Sequence, residues 1–344
     1  MWEICGYTLK PGEKKQVVLG VPMDGLAHNG QAAVLPDTVS RAGVGAGDYE
    51  LPATLICGSH PGKTILISAG VHSGEYPGVA AAIRAAKEID PAMLTGNILL
   101  IHCINTSGFW AYAPSIVPED GQNLNRKYPG NAAGTVAERI EAYMVSQIFP
   151  QLDFILDLHS GGHIEPLTPC LFYPKAEKVT RASLDAALAL DLPYLIASTA
   201  TKGMYSFAAN CCDIPGLLVE RGGVSCCLEE WIEADCRDIF LLLAHLKMYE
   251  AGTVTRKNPS KKIYTQAIYL ESEEVGLWYA NVKEDQLIQK GALLGHIEDF
   301  YGNKIRAYFA EPDGRVFYYT GGLAVRKGDP LVAYGLESSV TIIG

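Results

Sequence analysis

The segment Thr64-Ile65-Leu66-Ile67-Ser68-Ala69-Gly70-Val71-His72-Ser73-Gly74-Glu75-Tyr76-Pro77-Gly78 decides how this chain is read. Its first six residues form a short apolar run that predicts a buried strand. Glycines at 70 and 74 break the run, and Pro77 falls in the first turn of an alanine-rich helix extending to about Ile89. Strand, turn and helix in succession predict an α/β layer. The turn carries His72 and Glu75, three residues apart. Nitrogen and carboxylate donors suit a zinc ion at about 2.0–2.2 Å, and glycines let the backbone bend enough to aim both at one ion. By itself such a pair is weak evidence, because His-x-x-Glu arises often by chance.

Two further segments supply what the pair lacks. Phe154-Ile155-Leu156-Asp157-Leu158-His159-Ser160-Gly161-Gly162 reads as a buried strand that delivers His159 to the carboxyl edge, where open α/β sheets bind ligands. Ile214-Pro215-Gly216-Leu217-Leu218-Val219-Glu220-Arg221-Gly222-Gly223 reads as a third, ending in Glu220. Structural readings stand beside these: His159 as a core histidine satisfied by a carbonyl, Glu220 with Arg221 as a pair closing a strand, Arg126 as a bridge to a buried carboxylate. His102 reads as a packed histidine within a strand, and His163 is given no role. Strand and helix alternate from Pro52 to about Gly252, with helices expected across Ala132 to Ile148, Glu177 to Leu190 and Cys227 to Glu250. The fold class is therefore α/β, a largely buried sheet covered by helices.

With these segments in view, the sequence resembles the succinylglutamate desuccinylase and aspartoacylase family, related to the zinc carboxypeptidases. The resemblance is carried by His72-x-x-Glu75, Asn123-Leu124-Asn125-Arg126, Asp157-Leu158-His159 and Glu220, in the family's order, and extends more loosely over most of the chain. It implies a carboxypeptidase-like mixed sheet and one zinc per chain, held by His72, Glu75 and His159. It also implies Glu220 as general base, with Asn125 and Arg126 as substrate-binding residues. Two positions depart from the pattern. Many members carry Asp where this chain has Asn123, a place from which a carboxylate orients a ligating histidine. Many also place an Arg upstream to stabilise the oxyanion, where this chain reads Phe109-Trp110-Ala111-Tyr112-Ala113-Pro114-Ser115. That task then falls to Tyr112, or to the zinc with help from Arg221.

The chemistry follows from the residue types. Three protein ligands leave a fourth tetrahedral position for water, whose pKa zinc lowers to about 7. Glu220 is suited to take the water proton and return it to a departing amine, and the planar fork of Arg126 to hold a substrate carboxylate. The expected activity is a zinc-dependent hydrolase, a deacylase cleaving the amide bond of an N-acyl amino acid or similar small carboxylate-bearing substrate. A carboxypeptidase-like peptidase or esterase, and a non-catalytic binding protein retaining the fold, stay open as alternatives.

At 344 residues the chain exceeds a typical domain of about 100–200. The expected division is 1–252 as the zinc hydrolase catalytic domain, its β-rich segment 1–50 included, 253–262 as a basic, proline-broken linker, and 263–344 as a small all-β, barrel-like domain. The last shows a glycine rhythm similar to biotinyl and lipoyl carriers. Asp313-Gly314 stands where a carrier lysine belongs, so a lid or packing role is expected. A net charge of −10 argues against a nucleic-acid partner. The longest apolar helical run, Asp238 to Leu246, falls short of the ~20 residues that span a membrane. The amino terminus lacks a secretory pattern, and the nine cysteines, including the doublets Cys211-Cys212 and Cys226-Cys227, lack zinc-ribbon spacing. Reduced thiols and a cytoplasmic location are expected, with homo-oligomerisation left open. Gly58 to Thr64 imitates a phosphate-binding loop, but it is one residue short and leads into a strand; it reads as a turn, and Gly43 to Gly47 as a loop.

Overall fold

The apolar runs become neighbours in one ten-stranded mixed sheet. From edge to edge its strands are Val340–Ile343, Lys261–Tyr264, Tyr194–Ser198, Cys170–Pro174, Gly216–Glu220, Phe154–His159, His60–Ala69, Thr95–Ile101, Tyr49–Cys57 and Glu13–Val21. The computed structural model describes residues 1–31, 36, 38–250, 256, 257 and 260–343. The four strands from Gly216–Glu220 to Thr95–Ile101 run parallel, with antiparallel pairs on either side of them. Side chains alternate between two cores. Ile65, Ile67, Leu156, Leu158, Leu217 and Val219 pack under helices Tyr76–Glu88, Thr180–Ala189 and Glu229–His245. Leu66, Ile155 and Leu218 pack on the other face, with helices Val136–Tyr143 and Met204–Cys211. Burial on both faces is why these strands read as continuous apolar runs.

The helix opened by Pro77 lies close on the sheet, because a Cβ on Gly78 would stand 2.7 Å from Leu158 Cβ. The helix expected from Ala132 begins at Val136, where the Thr135 N–H donates to the Glu138 carboxylate at 2.9 Å. It continues past Tyr143 as a π-helical turn over Met144–Ile148.

Residues from Ala267 to Leu336 build two four-stranded antiparallel sheets around Trp278, Leu294, Ile297, Val316 and Leu331. Both ends of this unit are sewn into the main sheet: Lys261–Tyr264 pairs in parallel with Tyr194–Ser198, and Val340–Ile343 pairs with Lys261–Tyr264. The division expected at 262/263 therefore falls inside a main-sheet strand. Of the expected linker, Thr253 to Thr255, Asn258 and Pro259 lie outside the described residues. No helix among the described residues is long and apolar enough to cross a membrane.

Candidate active site

Parallel pairing sets the site. Ala69 stands opposite Leu158, and His159 opposite Glu220, so three strands end together at one edge of the sheet. Gly70 then turns the chain at φ +65°, where a Cβ would meet Cys103 Sγ at 2.8 Å, so only glycine fits. The turn brings His72 and Glu75 to His159. His72 Nδ1 lies 2.8 Å from Glu75 Oε1, and His159 Nδ1 lies 2.8 Å from Glu75 Oε2. The donor atoms of the three residues all lie within 4.8 Å of one another, with the two imidazoles edge to face.

Each ring has a partner behind it. His72 Nε2 donates to Asn123 Oδ1 at 3.0 Å, and His159 Nε2 faces Asp157 Oδ2 at 3.1 Å, a charge contact outside hydrogen-bonding geometry. Asp157 is itself held by Ser68 Oγ at 3.0 Å. Both rings thus turn Nδ1 inward, as ligating histidines do when fixed from behind. Burial raises the Glu75 carboxyl, but His72 and His159 outweigh it and hold the group at about 2. For His159 burial opposes protonation, and Asp157 and Glu75 more than reverse it, carrying the imidazole well above its ordinary value. Two nitrogens and a carboxylate converging in this way form a donor set that fits a metal ion.

Glu220 stands beside this group and is not otherwise engaged. Among the described residues it forms no ion pair, and its Oε2 is buried without a hydrogen-bond partner. Burial first, then Glu75, push its carboxyl well above the ordinary range. Arg221 is not its partner. The Arg221 guanidinium is buried and bonded to Asp235 and Asp238 on helix Glu229–His245, which takes up the group expected to assist at the oxyanion. Tyr112, the other residue considered for that task, is 85% exposed. Asn125 is buried, and its Oδ1 accepts from the Met204 N–H at 2.9 Å, so that oxygen is committed to the start of a helix. Arg126 is exposed; its Nη1 donates to the Asn125 carbonyl at 3.0 Å, and among the described residues it bridges no carboxylate.

The catalytic-domain profile of the succinylglutamate desuccinylase/aspartoacylase family matches residues 61–246, the stretch that contains every residue just described. The chain belongs to this family. A curated relative, the N-alpha-acetyl-L-2,4-diaminobutyric acid deacetylase of Halomonas elongata, is 26% identical over 333 residues, covering 94% of this chain and 96% of its own. Among solved structures, a succinylglutamate desuccinylase/aspartoacylase from Rhodobacter sphaeroides superposes with a TM-score of 0.78 at 21% identity, covering 96% of this chain and 99% of its own. The product-bound ectoine utilization protein EutE (DoeB) from Ruegeria pomeroyi gives 0.77 at 24%, covering 86% and 92%.

In this member of the desuccinylase/aspartoacylase family, two residues reach the site that the sequence did not single out. After His159 the chain runs through Glu165, whose Oε2 accepts from the Gly162 N–H at 3.0 Å. A strand of the C-terminal unit, Gly314–Tyr319, lies along the same segment: the Thr168 N–H donates to the Phe317 carbonyl at 2.7 Å, and the Gly321 N–H to the Ile164 carbonyl at 2.6 Å. This places Tyr318 nearby, its phenol raised by burial, then by Glu165, Tyr269 and Glu220. No local signal marks either residue. Glu165 follows His159 in the loop after the strand, and Tyr318 arrives through pairing between distant segments, such as Thr168 with Val316, which are separated by 148.

Proposed function

We propose that this chain is a zinc-dependent deacylase that hydrolyses the amide bond of an N-acyl amino acid or a similar small carboxylate-bearing substrate. The observation that carries the reading is the convergence of His72, Glu75 and His159 beside an unengaged Glu220 in a chain of this family. His72 and His159 would hold zinc through Nδ1 and Glu75 through its carboxylate, with Asn123 and Asp157 fixing the rings. When bound, zinc supplies a Lewis acid for the acyl carbonyl and lowers the pKa of water. Glu220 accepts the proton of the attacking water and passes it to the nitrogen of the departing amine. One carboxylate can carry that proton both ways, and its burial beside Glu75 raises its affinity for a proton in the metal-free chain. Arg126, with donors to spare at the surface, binds the substrate carboxylate bidentately, and the Asn125 amide N–H adds a neighbouring donor. The deacetylase name of the Halomonas elongata relative supports an N-acyl amino acid over a peptide or an ester.

Arg126 provides the test. Hydrogen bonds to charged groups contribute about 1.5–3 kcal/mol, so Arg126→Lys and Arg126→Ala should each lower kcat/KM on N-acyl amino acids by about tenfold to a hundredfold. On the corresponding amides, whose carboxylate is capped, activity should start low and change less than about threefold. Equal losses on acid and amide would favour the peptidase or esterase reading.

A further inference from the structure

The Glu220 carboxylate has no hydrogen bond or ion pair of its own among the described residues, so its place beside His159 is set by the backbone that carries it. One side of that backbone is fixed by the neighbouring strand. Glu220 stands opposite His159, the Arg221 N–H donates to the His159 carbonyl at 3.2 Å, the Gly161 N–H to the Gly222 carbonyl at 3.1 Å, and the Val224 N–H to the Gly162 carbonyl at 3.0 Å. The ladder runs on past both strand ends and ties the two loops together. On the other side the anchor is a single side chain. Among the described residues 221–228, Arg221 alone buries its side chain; Gly222 and Gly223 have none, and Val224 and Leu228 are exposed. Val224 and Ser225 stand at φ 49° and 48°, a conformation that L side chains rarely adopt, so this segment keeps its shape only because its surroundings impose it.

The Arg221 guanidinium reaches two carboxylates on one face of helix Glu229–His245, Asp235 through Nη1 and Asp238 through Nη2, and Asp238 in turn accepts the Asp191 N–H. Arg221, Asp235 and Asp238 are all buried. As a staple between sheet and helix the cluster is a poor one: two carboxylates face one cation, Asp235 Oδ2 is buried without a partner, and apolar side chains of similar volume often stabilise as well or better. A planar fork on two fixed acceptors supplies direction, which apolar contact does not, and a general base without hydrogen bonds of its own depends on such support. Resting on the deacylase reading above, we infer that Arg221 is a positioning residue for the reaction: locked to Asp235 and Asp238, it fixes the end of strand Gly216–Glu220 so that the Glu220 carboxylate stays in register with His72, Glu75 and His159.

The test separates positioning from stapling by discharging the whole cluster. The triple variant Arg221→Met, Asp235→Leu and Asp238→Asn removes the three charges together, and the amide oxygen at 238 still accepts from the Asp191 N–H. It is compared with wild type as the zinc-loaded full chain, on the N-acetyl-L-amino acid that wild type turns over fastest among members with acidic, basic and neutral side chains. Zinc content and thermal midpoint should match wild type, while kcat falls about tenfold to a hundredfold and KM stays within about threefold. Deuterium exchange should quicken in peptides spanning Glu220 to Val224 and stay as in wild type in helix Tyr76–Glu88. Arg221→Lys keeps the charge and loses the fork, so it should show the same kcat loss at unchanged KM, and it decides alone if the triple variant does not fold. Wild-type kcat in either folded variant, or a loss of zinc with KM rising as kcat falls, would overturn the inference while leaving the deacylase reading intact. A zinc-loaded wild type inert on every N-acyl amino acid tried would remove the deacylase reading and the inference with it.

Discussion

Glu220 ends a strand whose four preceding residues, Gly216 to Val219, are buried, and the same burial that makes the strand raises the basicity of its last side chain. Fold and chemistry meet in that residue. If it is the general base, Glu220→Gln should lower kcat by about 10²–10⁴ while metal content and substrate affinity change little, as steady-state kinetics and metal analysis would show. A variant that turns over like wild type would pass the role to another group. His72, Glu75, His159 and Glu220 were legible because each lies at the end of an apolar run or in a glycine turn, a local pattern. The partners of Arg221 were not legible. Asp235 and Asp238 sit on a helix more than a dozen residues away, and only the packing of that helix on the sheet brings them to the guanidinium.

Helix Val136–Tyr143 carries an unusual charge. Glu141 is fully buried with neither carboxylate oxygen hydrogen-bonded, and burial, reinforced by Glu138 and opposed by Lys127, raises it to about 8. An acid with a raised folded-state pKa binds more protons folded than unfolded between its two values. Stability therefore falls as pH rises from about 4.5 to about 8 and levels off above. Glu141→Gln removes the penalty, so it should match wild type near pH 5 and exceed it by about 1–3 kcal/mol at pH 8.5 in denaturant unfolding. An equal difference at both pH values would mean that Glu141 does not titrate with folding. The helix itself was visible as a periodic segment. Its first turn was placed early, because residues before Thr135 share its composition but not its capping contact.

Across the whole molecule, the C-terminal unit was legible as a β-rich composition shift, but its borders were not. Lys261, read as part of a basic, proline-broken linker, is 1% exposed, and its ammonium donates to the carbonyls of Leu190 and Leu192 at 2.6 and 2.8 Å. A buried cation satisfied by carbonyls leaves no trace in hydropathy. The contact between this unit and the catalytic layer centres on Thr168, whose hydroxyl donates to Val316 and accepts from the Asp285 N–H. Thr168→Val should cost about 1–3 kcal/mol of stability. It should also lower kcat/KM, because the segment that follows His159 loses its anchor; thermal melts and kinetics on one preparation would show both effects. Lost stability with unchanged kinetics would limit the unit to packing. The central claim, that this site is a metal-dependent deacylase, is tested most directly by measuring zinc content and turnover of N-acyl amino acids together. The account predicts about one zinc per chain, turnover abolished by a chelator and restored by zinc, and neither metal nor turnover in His159→Ala. Undiminished hydrolysis by the metal-free chain would contradict it.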